Sequence, residues 1–206
     1  MRARQISVLT CVTVCLLAVG VVASGQTARG GAAQPKAPTS ASQPATALPV
    51  SEQPFIAQAA MANMAEIQLG HLAVKTSQSQ AVKKFAAQIV DDHIKAQNAL
   101  ADAARGEGIQ WPKGLDDKHA AIQRQLSTLK GVEFDRLYLK AMIDGHRDVE
   151  KALAARAGDT GRATSELAAN VTEWSVNTLP VVRAHLKKAD EVSAELEQRQ
   201  SQRGSN

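Results

Sequence analysis

Residues 79–105 read SQAVKKFAAQIVDDHIKAQNALADAAR, and this stretch decides the fold class. Ser79 is a good helix start, the residues after it are mostly helix formers, and Gly106 and Gly108 end the run. At 100° per residue, Val82, Ala86, Ile89, Ala96, Leu100 and Ala104 share one line along this helix. His93 sits at the centre of that line. An apolar seam must bury itself against another element, so this helix belongs to a packed assembly.

The flanking text is written in the same residue types. Helices are expected over Pro54 to Ser77, Asp116 to Lys130, Val132 to Ala157 and Ala163 to Glu197. The second of these is short, and Trp111-Pro112 before it should plug one end of the assembly. Pro180 lies inside the last helix and is expected to kink or split it. Short turns at 77–79 and 158–162 predict an all-α, antiparallel four-helix bundle over residues 51–198. An extra short helix falls between the second and third long ones, and residues 199–206 form a polar tail expected to fray. Only 3% of the 206 residues are aromatic, which argues against a β-sandwich or barrel.

The N-terminus reads differently. Met1 to Arg4 is basic, and Ile6 to Ala23 carries no charge. This layout predicts a signal peptide over residues 1–25, with an uncleaved membrane anchor as the alternative. Residues 26–50 hold Pro35, Pro38, Pro44 and Pro49 among small polar residues and read as a spacer. The expected location is therefore the periplasm or envelope of a bacterium. Cys11 and Cys15 leave with the signal, which removes disulfides and thiolate ligands from the mature chain. The net charge of +4 falls to +2 when Arg2 and Arg4 leave, too little to argue for nucleic acid. No phosphate loop or Ser/His/Asp order is present, and no small-molecule substrate is evident. The reading is non-enzymatic.

Each long helix directs an ionisable group into its own seam. Glu66 joins Phe55, Ala59, Ala62, Leu69 and Ala73 on the first helix. His146 and Asp135 join Leu139, Met142, Val149 and Leu153 on the third. His185 joins Leu167, Val171, Trp174, Val181, Ala189, Val192 and Leu196 on the fourth. Counted from helix ends at 1.5 Å per residue, Glu66, His93 and His146 fall within about 3 Å of one level. By the same count His185 is level with Asp135, so the groups form either one cluster or two. Asp91 faces away from its seam and is expected to pair with Lys95. His71 and His119 read as surface or boundary residues, and Tyr138 as a flanking core residue whose hydroxyl finds a partner.

The ordered set Glu66…Gly70, Lys84-Phe85-Ala86…Asp92-His93, Phe134-Asp135-Arg136-Leu137-Tyr138…His146 and Leu179-Pro180…His185-Leu186 resembles the exported bacterial family known as domain of unknown function 4142. The resemblance runs from about Gln53 to Leu196. It implies a ferritin-like four-helix bundle behind a signal peptide, with no settled activity. The family's recurrent positions match Glu66, His93, Asp135, Tyr138, His146 and His185.

Di-iron enzymes of the ferritin-like class need Glu-x-x-His on two helices. This chain has none, and its nearest match, Asp116-x-x-His119, falls in the short helix. Two readings of the inward groups stay open. One is a buried hydrogen-bonded network that fixes helix register. The other is a metal site on Glu66, His93 and His146, with Asp135 and His185 as further candidates, suited to one Zn, Cu or Fe ion. A metalloenzyme at that site and a membrane-tethered interaction module are the rival functional classes.

Overall fold

The computed structural model describes residues 52–205. The expected signal segment 1–25 and spacer 26–50 lie outside the described residues. Five helices are present among them: α1 (Glu52–Thr76), α2 (Gln80–Ala103), α3 (Asp117–Ser127), α4 (Gly131–Ala157) and α5 (Glu166–Gly204). There is no strand among the described residues.

Side-chain caps start three of the helices. Ser79 Oγ accepts from the Val82 N–H at 3.4 Å, Asp116 Oδ1 from His119 N–H at 2.9 Å, and Ser165 Oγ from Ala168 N–H at 3.1 Å. Each satisfies a donor that the first helical turn leaves open. The left-handed turn after α2 needs glycine, and Gly106 supplies it at φ +83°.

The α1–α2 and α4–α5 pairs pack most closely, and α2–α5 and α1–α4 contacts close the ring. Ile56, Leu100, Leu153 and Val171 meet in one apolar cluster, and Leu69, Phe85, Phe134 and Leu196 in a second. The four long helices thus alternate in direction around the ring. The chain reaches this order by a single crossover from α2 to α4. Ile109 and Trp111 pack with the first cluster and Leu126 with the second, so the crossover travels the length of the bundle. One long crossover also occurs in ferritin-like folds.

The two apolar clusters do not merge. On every long helix the ionisable seam residue falls between them: Glu66 after Ala60 and before Leu69, His93 after Ile89 and before Leu100, His146 after Met142 and before Leu153, His185 after Val182 and before Ala189. A polar layer therefore crosses the middle of the core.

Four seam expectations on two helices are corrected. In the first half of α1 the buried residues are Glu52, Ile56, Ala60 and Asn63, while Phe55, Ala59 and Ala62 are half-buried; Glu66, Leu69 and Ala73 are buried as expected. The first half of α1 has Ala, Met and Ile on all sides, so its apolar contrast does not fix a phase. Phe55 is drawn to the edge by Trp174, at 6.3 Å between ring centroids, and by the Arg156 guanidinium at 5.7 Å. On α5, Val182 is buried and Val181 is exposed. Adjacent valines leave the choice to tertiary packing, which aligns Val182 with His185 and Ala189.

Pro180 does not split α5, which is one helix from Glu166 to Gly204. The carbonyl that proline leaves without its usual donor belongs to Val176. Val176 and Pro180 are both exposed, so the proline lies on the solvent side of α5, where an unpaired carbonyl costs little. The segment expected to fray continues α5 as far as Gly204.

Candidate metal centre

His93, His146 and His185 come from α2, α4 and α5 and are 4%, 1% and 1% exposed. Their ring centroids form a near-equilateral triangle with sides of 5.4, 5.4 and 5.3 Å. One nitrogen of each ring can be chosen so that all lie within 4.8 Å of one another. Glu66, from α1, reaches this triangle from the remaining side. Its Oε2 is 2.8 Å from His93 Nε2 and its Oε1 is 3.2 Å from His146 Nδ1.

The protons can be placed from the acceptors around each ring. His146 Nδ1 faces two acceptors, the Met142 carbonyl at 2.9 Å and Glu66 Oε1, so it carries hydrogen. His185 Nε2 faces Asp92 Oδ2 at 3.1 Å and also carries hydrogen. His93 Nδ1 donates to Asn63 Oδ1 at 3.0 Å, an orientation set by Asn63 Nδ2 donating to Gln97 Oε1 at 3.2 Å. With neutral rings, the lone pairs remain on His93 Nε2, His146 Nε2 and His185 Nδ1. Two of these nitrogens face each other, His146 Nε2 and His185 Nδ1 at 3.3 Å, and the third, His93 Nε2, faces Glu66 Oε2. His93 Nε2 and Glu66 Oε2 approach closely but are misaligned, and neither has a hydrogen-bond partner among the described residues.

The charges respond to this geometry. Burial pushes the Glu66 carboxyl upward, but His146 and His93 outweigh it and hold the group well below the usual carboxylate range. Burial pushes His146 down, and the Glu66 charge and hydrogen bond outweigh it, so His146 binds its proton more tightly than an ordinary histidine. His185 is lowered, chiefly by burial, with His146 and His93 adding to the effect against Asp92. Asp92 itself is lowered, because its bonds to His185 and Lys95 outweigh burial.

His185 thus belongs to the same cluster as His93 and His146. The level count that paired it with Asp135 assumed that α4 ends where α5 begins. The pairs Arg136–Glu197, His146–His185 and Glu150–Arg183 lie on one antiparallel register. That register makes the first turns of α5 project beyond the end of α4. Asp135 is buried but stands three turns from His146, about 16 Å along α4. Burial raises its pKa against a hydrogen bond from Ser77, and its Oδ1 has no partner among the described residues. Asp135 is therefore not a ligand of this cluster.

Two members were not foreseen. Asn63 was hidden by the phase of α1. The pairing expected between Asp91 and Lys95 is corrected: Lys95 pairs with Asp92 at 3.0 Å, and Asp91 is exposed. The signal for Asp92 was its position beside His93, at the edge of the α2 seam facing α5. His119 is half-buried and paired with Asp116 at 2.7 Å, and His71 is exposed, as expected of boundary and surface residues.

Fold and centre together define an all-α bundle with a buried histidine–carboxylate layer supplied by all four long helices. The chain belongs to the family described as Domain of unknown function (DUF4142), which matches residues 37–192. No curated protein and no solved structure matches the chain.

Proposed function

We propose that this chain is an exported, non-enzymatic bundle protein of the bacterial envelope whose core binds one divalent transition-metal ion on His93, His146 and His185. The observation that carries the reading is the pair of inward nitrogens, His146 Nε2 and His185 Nδ1, at 3.3 Å with their outer nitrogens already donating. Two lone pairs at that distance repel unless a metal ion takes both or one ring gains a second proton and donates it to the other. Imidazole ligands suit Zn, Cu or Fe. Each ligand also has the outer support that metal-bound histidines use to fix tautomer and orientation: Asn63 for His93, Met142 O and Glu66 for His146, Asp92 for His185. Glu66 Oε2, beside His93 Nε2, supplies the negative charge that offsets a dication.

A structural role is favoured over catalysis by burial of all the ligands, since a catalytic metal keeps a position open to substrate. Export is supported by Met1 to Ala23 of the sequence, basic and then uncharged. No helix among the described residues is long and apolar enough to cross a membrane.

The test is elemental analysis of the protein isolated from the envelope fraction without chelator, with melting curves before and after added Zn, Cu and Fe. Near-stoichiometric metal and a linked stability gain are expected. Absence of both would leave a proton-sharing histidine network as the function of the layer. A mature N-terminus near Ser24 or Gln26 is expected, and an intact Met1 in the membrane fraction would replace export by tethering.

A further inference from the structure

A buried centre needs a way in. Two cavities touch it, each through a carboxylate. The first, of about 550 Å³, lies between α2 and α5 and reaches Asp92. That path is occupied: Asp92 Oδ1 holds the Lys95 ammonium and Oδ2 holds His185. The second, of about 440 Å³, lies among α1, α3 and α4 and reaches Glu66. Here Glu66 is 5% exposed and its Oε2 has no hydrogen-bond partner among the described residues.

The second cavity has the chemistry of a cation path. Its exposed rim carries Asp116 and Asp148, with His119 beside them. The ammonium at that rim, Lys118, is exposed and 3.6 Å from Asp148. The walls below are mostly apolar, with Ala59, Ala62 and Ala152 among larger residues such as Phe55, Met61 and Leu153. At the inner end stands Gly145, where an added methyl group would lie 3.3 Å from Glu66 Oε1. A side chain there would crowd the carboxylate, and glycine leaves it open to the cavity.

We infer that this α1–α3–α4 cavity is the entry route for the metal ion, with Asp116, His119 and Asp148 as an outer cation station and Glu66 as the inner acceptor. The inference rests on the metal-centre reading and adds a site and a direction to it. The carboxylate rim raises the local cation concentration, and Glu66 then passes the ion to His93 Nε2, the ligand nitrogen that lies 2.8 Å from its Oε2.

The test follows Co(II) uptake and release by visible absorption. Asp116→Asn combined with Asp148→Asn removes the rim charge, and asparagine still caps α3. Ala62→Leu fills the cavity without replacing a ligand. The rim variant is expected to take up Co(II) roughly tenfold more slowly at low salt, with the difference shrinking as salt rises. The Ala62→Leu variant is expected to slow uptake and release by the same factor, leaving affinity unchanged. Uptake at the wild-type rate in both variants overturns the route and leaves the centre standing. A wild-type protein that takes up no Co(II) removes the centre, and the route with it.

Discussion

His146 Nε2 and His185 Nδ1 face each other across 3.3 Å, while the opposite nitrogen of each ring donates to a fixed acceptor. The arrangement is satisfied in two ways only. Either one ring takes up a second proton and donates it to the other, or a metal ion takes both lone pairs. The outer acceptors, a backbone carbonyl and two carboxylates, support the rings in either state.

The two states separate on adding metal. An ion present at a hundredfold excess over its Kd stabilises the folded state by about 2.7 kcal/mol. His185→Ala is expected to abolish that gain, as is His93→Ala. Asp135→Asn is expected to leave it intact, since Asp135 stands three turns away. Thermal melts with and without Zn(II) check all three. A full gain in His185→Ala would remove that ring from the ligand set.

The metal-free protein should carry a pH signature of the Glu66–His146 pair. Glu66 loses its proton more readily in the folded state, so its contribution is complete above the ordinary 4.5 and lost as pH falls through its lower folded value. His146 holds its proton more tightly when folded, so its contribution is complete below 6.5 and lost as pH rises through its folded value. His185 works the other way, because the unfolded chain accepts below 6.5 the proton that the folded ring resists. Comparing wild type with Glu66→Gln cancels the His185 effect to first order. The difference is expected to peak between pH 4.5 and 6.5, at about 3 kcal/mol, and to narrow on both sides. Denaturant titrations across pH measure it. A flat difference would mean that the two groups do not share charge.

The α1–α2 interface depends on Gly70. A methyl group there would lie 2.7 Å from Val90 Cγ2 and 3.2 Å from the Ala86 carbonyl. Valine is stiff at χ1 and the carbonyl is part of a helix, so the two helices must separate. Alanine regains about 1 kcal/mol of helix propensity, which overpacking of about 1–3 kcal/mol exceeds or cancels. Gly70→Ala is therefore expected to lower stability by about 1 kcal/mol, read as a lower urea midpoint at unchanged slope. A rise in the midpoint would show that α1 and α2 have room between them.

Helix content was legible because Ala, Leu, Lys and Gln runs between glycines carry their own propensity. Glu66, His93 and His146 were legible because an ionisable residue stands out on an apolar seam. What was not legible depends on contacts between helices. The phase of α1 failed because its first half is apolar all round, which hid Asn63. The place of His185 failed because helix ends do not mark height when α5 overshoots α4. Asp92 and Asp91 are adjacent acids on one helix, and only the position of α5 decides which of them meets a histidine. Asp135 was on the correct line of α4 but at the wrong height, a distinction that periodicity alone cannot draw.

Tyr138 tests how polar the second cluster can be. Its side chain is fully buried, stacked on Phe134 at 6.4 Å with 9° between the planes and edge-on to Phe85 at 6.3 Å. The sequence predicts a partner for its hydroxyl, yet that hydroxyl has none among the described residues. Burial raises its pKa strongly, and the nearby Glu66 charge adds to this, so it stays protonated at every accessible pH. A buried donor without an acceptor costs about 1–3 kcal/mol, whereas the ring contacts survive its removal. Tyr138→Phe is therefore expected to leave stability unchanged or raise it by about 1 kcal/mol, with metal uptake unaltered. Thermal melts and Co(II) titration of the variant check both halves. A loss of more than about 1 kcal/mol would show that the hydroxyl is bonded in solution. The acceptors within its chemistry are then Asp135 Oδ1, also unpartnered one turn earlier on α4, and Glu66, whose charge it already senses.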